Sequence, residues 1–348
     1  MLDIYAGKTA LNTINEKGFK QEVFTSFLGA SGGPKWFTLF SLDKFLFGEF
    51  FQGRTNELNL IGSSAGAFRA ACFTQNDPVE AITRLAESYS ETVYSDNAKP
   101  EEITKKAVEL LNYVLGDNGV EEIIANKIFK THFLVNKTNG FVGSDNKVTQ
   151  SLGLIKSILL NRVDRKLLRN QYERFVFKSP SSQLIIDDYC NFKTQYADLT
   201  SSNLKEALLA SGSIPIVMEG IKNIAGVPKG MYRDGGIVDY HFDFKLKNND
   251  GLILYPHFNS QPKAGWFDKS LKRKVLAENY DNIVMLVPSP KFIKSLPYSK
   301  IPDRTDFTKM QANQRIKYWK TVLSETEKTS EYFNEFLDKK DYQKIRLI

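Results

Sequence analysis

Two apolar segments near the start of the chain each run into a turn of small residues and then into a helical pattern. Residues 23–28 form the first segment and predict a strand that ends at Gly29. Pro34 suits the first turn of the helix after it, where apolar residues recur at mostly helical spacing. Residues 58–61 predict a second strand, and small residues over 63–73 predict a buried helix. This alternation indicates a mostly parallel sheet with helices on its faces.

The rest of the chain continues this mixture of strands and helices. Apolar residues at helical spacing predict two amphipathic helices in the middle of the chain, each with one face toward the core. The predicted core faces are Val108, Leu110, Leu111, Val114 and Leu115 in the first helix, and Leu152, Leu154, Ile155, Ile158 and Leu159 in the second. Strands are predicted at 175–177, 184–186, 252–255 and 283–287, and a short helix at 204–210. The last helical pattern, over 307–337, carries mixed charges and is expected to cap the sheet.

Length and composition favour one globular unit. The chain has 348 residues, of which 42% are hydrophobic and 25% charged, so a packed core is expected. We predict a single domain over residues 1–348, with the motif-bearing core at about 20–290 and a helical cap at about 304–340. No stretch reaches the roughly 18 apolar residues of a membrane-spanning helix. The first residues lack a basic region followed by an apolar run, so no secretory signal is expected.

The scarce residue types exclude some sites, and the charge balance bears on partners. Cys72 and Cys190 are the only cysteines, which excludes a disulfide scaffold and a four-cysteine zinc site. The three histidines are far apart in the chain, so no metal is predicted.

The net charge of +7 is a mild excess of positive charge, which suits either binding to an anionic surface or a surface that is only solvated. We expect no nucleic-acid partner and a cytoplasmic location, with peripheral membrane contact left open.

The second turn carries a motif of nucleophilic catalysis. Gly62-Ser63-Ser64-Ala65-Gly66 fits G-x-S-x-G, in which a serine lies on a sharp turn between strand and helix. Small neighbours prevent clashes at such a turn, and the helix that follows points its first amides toward the reacting carbonyl. The motif therefore predicts Ser64 as a nucleophile, against the alternative of a tight turn with incidental serines.

The first turn is rich in glycine and precedes a helix. Gly29-Ala30-Ser31-Gly32-Gly33-Pro34-Lys35-Trp36 does not fit a phosphate-binding P-loop, because proline replaces the second glycine and tryptophan replaces the hydroxyl residue. Paired glycines before a helix still offer free backbone N–H groups, which an anionic tetrahedral intermediate needs. The alternative is a connection that binds no ligand.

A nucleophilic serine needs a base, and two later motifs bear on its identity. Asp234 with His241 or His257 would complete a triad in the order Ser, Asp, His. However, Ala210-Ser211-Gly212-Ser213-Ile214-Pro215 and Asp234-Gly235-Gly236 follow the two turns. The order G-G-x-[RK], G-x-S-x-G, A-S-x-x-I-P and D-G-[GA] resembles the patatin-like phospholipase family. The resemblance extends over residues 23–240.

This resemblance implies a three-layer α/β/α fold with a mostly parallel central sheet and a Ser–Asp dyad. Ser64 would be the nucleophile, and Asp234 would take its proton directly. Gly32 and Gly33 would donate backbone N–H groups to the oxyanion, and Lys35 would hold a lipid phosphate. No cofactor is implied. The substrate would be a carboxylic ester of a phospholipid, a lysophospholipid or a short acyl chain.

The chain departs from the family pattern at two places. Trp36 stands where glycine is common, and it would either narrow the mouth of the site or pack on the sheet. An Asn and a Pro usually follow D-G-G, whereas here the residues are Ile237-Val238-Asp239-Tyr240-His241. His241 would therefore either join the site or be a structural residue of the loop.

Three functions remain open from the sequence. The first is the acyl hydrolase, and the second is an acyltransferase that passes the same acyl group to another acceptor. The third is a lipid-binding protein without catalysis, which an intact Ser64 and Asp234 disfavour. A membrane-docking patch is conceivable at Trp266-Phe267 with the cations around it, although an ordinary basic loop beside packed rings explains the same residues.

Overall fold

The computed structural model describes residues 1–348 and has thirteen strands and twelve α-helices. The strands are β1 (Leu2–Ala6), β2 (Phe24–Gly29), β3 (Leu58–Ser63), β4 (Phe129–Thr138), β5 (Tyr172–Lys178), β6 (Ile185–Asp187), β7 (Thr194–Asp198), β8 (Ile221–Lys222), β9 (Met231–Asp234), β10 (Lys245–Lys247), β11 (Leu252–Pro256), β12 (Ile283–Pro288) and β13 (Arg346–Leu347). The helices are α1 (Lys8–Lys17), α2 (Phe40–Phe45), α3 (Ala65–Phe73), α4 (Pro78–Glu91), α5 (Pro100–Leu115), α6 (Gly119–Ala125), α7 (Lys147–Val163), α8 (Leu204–Ser211), α9 (Pro290–Ser295), α10 (Asp306–Lys309), α11 (Ala312–Glu325) and α12 (Glu327–Lys339).

One large sheet forms the centre of the molecule. Its strand order is β13-β1-β12-β11-β2-β3-β4-β5-β7, with β9 pairing to β4 and β8 pairing to β9. The five strands from β12 to β4 are parallel to one another. Antiparallel pairs occur outside this group, where β1 pairs with β12 and where β5 and β9 pair with β4. The predicted α/β class with a mostly parallel central sheet is confirmed.

The apolar strands bury side chains on both faces of the sheet. Successive side chains point to opposite faces of a strand, and neighbours such as Phe27 and Leu28, or Leu60 and Ile61, belong to different buried clusters. The larger cluster holds 57 residues, including those of α3, α11 and α12. The smaller holds 16, among them the rings of Phe242, Phe258 and Tyr280. These positions read as continuous apolar runs because both faces are covered.

Two predicted helices differ in detail from the structure. The segment after the first turn is a 3-10 helix at Gly33–Leu39, an α-helix at α2 and a π-helix at Leu46–Phe50. The apolar spacing was only mostly helical, which agrees with this change of helix type along the segment. The C-terminal pattern divides into α10, α11 and α12.

Four of the five residues predicted for the core face of α7 are exposed, and only Leu154 packs against a buried cluster. Leu152, Ile155, Ile158 and Leu159 are 54%, 53%, 51% and 58% exposed. The helix instead turns its small and polar residues inward, with Gln150, Gly153, Ser157 and Asn161 buried. A Cβ at Gly153 would lie 2.5 Å from the backbone nitrogen of Val142, so close approach of the neighbouring segment selects the buried side.

No α-helix of the chain has the length and apolar character needed to cross a membrane.

Candidate active site

Ser64 lies on a strained turn between β3 and α3. Its backbone has φ 52° and ψ −124°, a combination that costs a non-glycine residue on the order of 1–3 kcal/mol. The side chain is buried, with 8% of the residue exposed. The Ser64 N–H donates to Ser211 Oγ at 2.9 Å, and Ser211 Oγ donates to the Leu134 carbonyl at 2.8 Å. The A-S-x-x-I-P segment therefore supports the turn through its serine.

Glycines on both sides of Ser64 are required by close backbone contacts. A Cβ at Gly66 would lie 1.7 Å from the Gly29 carbonyl oxygen. A Cβ at Gly62 would lie 2.3 Å from the Gly66 carbonyl oxygen. Backbone atoms cannot move aside as a flexible side chain can. Glycine at 66 therefore lets the two turns approach each other, and glycine at 62 lets the chain turn sharply around Ser64.

Asp234 reaches Ser64 because both lie along one edge of β4. Ser63, the last residue of β3, pairs with Leu134 of β4. Asp234, the last residue of β9, pairs with Val135, the next residue along β4. β3 and β9 thus pair with successive parts of the same edge of β4. Their C-terminal residues, Ser63 and Asp234, lie next to each other along that edge. A separation of 170 positions in sequence becomes a contact between neighbours in the sheet.

The Ser64 hydroxyl donates to the Asp234 carboxylate. The distance from Ser64 Oγ to Asp234 Oδ2 is 3.0 Å, and the Gly236 N–H donates to Oδ1 at 2.7 Å. Burial raises the pKa of Asp234 from 3.8 to about 6, against the opposing effects of these two hydrogen bonds and of the positive charges of Arg304 and Lys269. A carboxylate with this pKa is ionised at neutral pH and is a better base than an ordinary aspartate.

Gly32 and Gly33 lie on the first turn with unused donors. Neither N–H donates a hydrogen bond to any protein acceptor, whereas Ser31 N–H before them donates to the Tyr240 carbonyl. Gly33 has φ +55°, a conformation that favours glycine. Two free backbone N–H groups in a turn beside a nucleophile are suited to donate hydrogen bonds to a developing oxyanion.

Hydrogen bonds between side chains and backbone hold the three motifs together. Ser31 Oγ lies 2.6 Å from Ser63 Oγ, and Ser63 Oγ donates to the Asp239 carbonyl at 2.6 Å. Asn136 of β4 donates to the carbonyls of Asp234 and Gly235 at 2.8 and 3.0 Å. The relative positions of the serine, the carboxylate and the glycine turn are therefore set by buried contacts.

None of the three histidines contacts the dyad. No imidazole nitrogen forms a hydrogen bond with Ser64 or Asp234. His241 Nδ1 accepts from Lys263 N–H at 2.9 Å, and its ring packs against the rings of Tyr240 and His257. Burial lowers the pKa of His241 well below its ordinary value, so the ring is neutral. The structure places His241 in a packed loop rather than between Ser64 and Asp234.

A buried ion-pair network anchors the segment that departs from the family pattern. Asp239 receives two hydrogen bonds from Arg174, at 2.6 and 2.7 Å, and Arg174 also pairs with Asp188 at 2.8 Å. Arg165 donates to the Val238 carbonyl at 2.7 Å. Where an Asn and a Pro are usual, this chain fixes the backbone after Asp234 with two buried arginines.

Positive charges surround the site, and two of them were missed from the sequence. Lys35 Nζ lies 3.2 Å from Asp303, so this side chain forms an ion pair. Arg304 lies against the first turn, where a Cβ on Gly33 would be 3.1 Å from its Cγ. Lys269 Nζ lies 3.9 Å from the centre of the Tyr240 ring. Arg304 and Lys269 come from loops outside the four motifs. Lys269 was expected only among the cations around Trp266-Phe267, and no motif indicated Arg304.

A large cavity opens at Ser64. It has a volume of about 1090 Å³ and is lined by Gly33, Ser64 and Arg304 together with a majority of hydrophobic residues. Trp36, which is 1% exposed, and Phe68 are among these. Trp36 packs against Phe37 and so contributes to the wall rather than projecting across the mouth. Such a space suits a long apolar chain beside the nucleophile.

The proposed membrane patch around Trp266 and Phe267 is largely committed to internal contacts. Both rings are half-buried and pack against a buried cluster that includes Tyr172. Lys263 Nζ donates to the backbone carbonyls of Leu271 and Arg273, and Arg273 pairs with Asp268. The arrangement favours the ordinary basic loop over a docking surface.

Comparison with known proteins supplies the family. The family model described as patatin-like phospholipase matches residues 59–241, which include Ser64 and Asp234 but not the first turn. Among solved structures, human GIVD cytosolic phospholipase A2 is similar with 8% sequence identity and a TM-score of 0.39. The similarity covers 97% of this chain and 63% of that one. No curated protein sequence matches the chain. Since the family model spans more than half of the residues of this chain, the chain belongs to the patatin-like phospholipase family.

Proposed function

We propose that the protein hydrolyses carboxylic esters of lipids through a Ser64–Asp234 dyad and a covalent acyl-enzyme. The observation that carries the proposal is the 3.0 Å hydrogen bond from Ser64 Oγ to Asp234 Oδ2, formed beside a large and mainly apolar cavity. Family membership supports lipid hydrolysis as the class of reaction. The dyad, the oxyanion donors and the ester substrate are the parts that we infer from the geometry.

The reaction has two halves with Asp234 transferring the proton in each. Ser64 Oγ attacks the acyl carbonyl carbon while its proton passes to Asp234 Oδ2, and the bond to the alcohol breaks as that alcohol takes the proton. Water then gives a proton to Asp234 and attacks the acyl-enzyme. The carboxylic acid leaves, and the proton returns to Ser64 Oγ.

The first turn would stabilise the negative charge that forms in both halves. Gly32 and Gly33 have free N–H groups in a turn packed directly against the elbow. Their backbone is fixed before substrate binds, so little reorganisation is needed when the oxyanion forms. Loss of one such donor typically slows an acyl-transfer enzyme by about 10²- to 10³-fold.

The cations at the mouth favour an anionic substrate. Lys35, Lys269 and Arg304 lie around the dyad, and only Lys35 is paired with a carboxylate, that of Asp303. Burial, followed by the neighbouring charges of Arg304 and Lys35, lowers the pKa of Lys269 to about 7, so an anion bound here would favour its charged form. A phosphate of a phospholipid or lysophospholipid carries the matching charge. We therefore propose that Lys35, with Lys269 and Arg304, binds the head-group phosphate while the acyl chain occupies the apolar cavity.

Covalent labelling tests the nucleophile. A fluorophosphonate probe should label the wild-type protein and fail to label Ser64→Ala. Ser202→Ala is the matched control, because Ser202 is an exposed serine away from the site. Undiminished labelling of Ser64→Ala would exclude Ser64 as the nucleophile.

A hydrolysis panel tests the reaction and the substrate. Short p-nitrophenyl esters, lysophospholipid and intact phospholipid should all be cleaved by the wild-type protein, whereas Ser64→Ala and Asp234→Asn should lose about 10³-fold or more of the rate. Arg304→Gln should lose more activity on lysophospholipid than on the neutral esters. Equal loss on both substrates would contradict the phosphate site while leaving the dyad intact. His241→Ala should retain activity if its folding is preserved.

A further inference from the structure

The exposed side of α7 carries an uninterrupted apolar stripe. Val148, Leu152, Ile155, Leu159 and Val163 recur at spacings of three and four residues, which places them along one side of the helix. Their exposed fractions run from 53% to 79%, and Ile158 beside them is 51% exposed. Single exposed apolar residues are normal, but a continuous row over the length of a helix marks an interaction surface. We call these six residues the α7 stripe.

The residues flanking the stripe are positively charged. Between Asn146 and Asn170 the exposed cations are Lys147, Lys156, Arg162, Lys166 and Arg169, and Asp164 is the single acidic residue. None of these five cations forms an ion pair within the protein. An apolar row bordered by unpaired lysines and arginines is the pattern of a helix that lies in the interface of a membrane with anionic lipids.

We propose that the α7 stripe and its flanking cations bind the surface of an anionic lipid membrane. Apolar side chains would enter the head-group region, and the cations would contact lipid phosphates or carboxylates. A second copy of the chain fits this surface less well. In a symmetric dimer the same face meets itself, which would bring Lys156 and Arg162 of both copies together with only Asp164 to balance them.

The buried side of α7 connects this surface to the active site. Near one end of the helix, Gln150 Oε1 accepts from the N–H of Ile216, whose neighbours Ile214 and Val217 line the cavity. Near the other end, Asn161 Nδ2 donates to Asp268 Oδ1 at 3.0 Å, and Asp268 precedes Lys269. A membrane bound to α7 would thus contact the protein beside two segments that border the site. This part of the inference rests on the proposed function.

Vesicle binding tests the apolar part of the surface. Ser64→Ala protein of residues 1–348, used so that vesicles stay intact, is sedimented with vesicles of phosphatidylcholine containing phosphatidylserine. Adding Leu152→Asn and Leu159→Asn should weaken vesicle partitioning about tenfold or more. Leu347→Asn with Ile348→Asn is the matched control. These residues are 62% and 48% exposed and lie at the β13 edge of the sheet, whereas α7 connects β4 and β5 toward the other edge. Vesicle binding by this control variant should therefore be unchanged.

A second set of variants tests the charges. Lys156→Gln, Arg162→Gln and Lys166→Gln together should weaken binding to phosphatidylserine vesicles about tenfold or more and should flatten its dependence on salt. The control triple Lys8→Gln, Lys17→Gln and Lys20→Gln removes the same charge from exposed, unpaired lysines elsewhere. All substituted side chains are exposed, and unchanged circular dichroism confirms that each variant is folded.

The outcomes separate this inference from the proposed function. Equal vesicle binding by the Ser64→Ala protein with and without the stripe substitutions would overturn the inference. So would a wild-type dimer that becomes monomeric in the stripe variant without any vesicle binding. The stripe and charge substitutions placed in active protein should leave hydrolysis of a soluble short ester unchanged. Vesicle binding without hydrolysis of any ester would leave the inference standing and remove the proposed function.

Discussion

At the scale of single residues, the proposed catalytic groups occupy positions that cost folding free energy. Ser64 has a strained backbone, and Asp234 holds a carboxylate away from water. Each condition also serves the proposed chemistry, because the turn presents the hydroxyl and burial strengthens the base. Substitutions that remove these groups should therefore separate activity from stability.

Asp234→Asn should inactivate the protein and stabilise it. Asn keeps the shape and can still accept from Gly236 N–H, but it has no charge to desolvate. A pKa raised from 3.8 to about 6 corresponds to roughly 3 kcal/mol that folding loses once the group is ionised. The gain should appear in urea unfolding at pH 8.

The pH dependence checks the origin of this gain. The folded pKa lies above the unfolded one, so the stability that Asp234 contributes is present below about pH 4 and is lost as the pH rises toward 6. The stability difference between Asp234→Asn and wild type should therefore shrink near pH 4. A difference that stays constant from pH 4 to pH 8 would contradict the burial of the charge.

The rate should follow the ionisation of the same carboxylate. If Asp234 accepts the proton of Ser64, kcat/KM for a neutral short ester should rise with pH through a midpoint near 6. Arg304 and Lys269 both lower the pKa of Asp234, so Arg304→Gln should move the midpoint upward. Lys8→Gln, far from the site, should leave it in place. A midpoint that does not respond to Arg304→Gln would argue that another group sets the profile.

At the scale of elements, the sequence predicts the parts of the site whose geometry is local. G-x-S-x-G and D-G-G are readable because a sharp turn and a close backbone approach restrict the residue types that fit there. The sheet edge that joins them was not readable, since β4 was not among the predicted strands. Its sequence, Phe129–Thr138, mixes lysine, histidine and asparagine with apolar residues, so no apolar run marks it as a strand. It becomes a central strand only in the folded protein, where its backbone pairs with β3, β5 and β9.

The α7 error has the same physical origin. Periodicity shows that a helix has an apolar side, but it does not show that the core contacts that side. In α7 the protein contacts Gly153, Ser157 and Asn161 instead, because a neighbouring segment needs close approach. The positions of Arg304 and Lys269 beside the site could not be predicted for a different reason. Both lie in loops, and only the folded chain determines which site a loop residue approaches.

The first turn offers a test of the oxyanion donors at this scale. A Cβ at Gly32 would lie 2.6 Å from Cζ of Phe258, so Gly32→Ala should displace the turn and lower kcat about 10²-fold or more. Adding Phe258→Ala removes the clashing ring and should restore part of the rate. Phe258→Ala alone provides the comparison. If the double variant is no faster than Gly32→Ala, the turn does not act through the position of its amides.

At the scale of the whole molecule, the C-terminal helices complete the core beneath the site. Phe333 of α12 packs against Phe19 and Phe45 with ring centres 5.5 and 5.9 Å apart. Trp319 of α11 packs against Phe37, in the segment that follows Gly32 and Gly33. We therefore propose that residues 1–348 fold as one unit, in which the cap supports the oxyanion turn.

If residues 1–348 fold as one unit, the protein should unfold in one transition, and it should not fold cooperatively without its C-terminal helical cap. Circular dichroism and tryptophan fluorescence should report the same urea midpoint, because the buried aromatic residues of the cap and of the sheet share one cluster. Deleting 304–348 should yield protein without a cooperative transition, since it uncovers Phe19, Phe37 and Phe45. Deleting only 346–348, whose side chains are exposed, should cost little stability and leave hydrolysis intact. Two separate transitions, or an active protein without 304–348, would show that the cap is an independent domain and that the oxyanion turn holds its position without it.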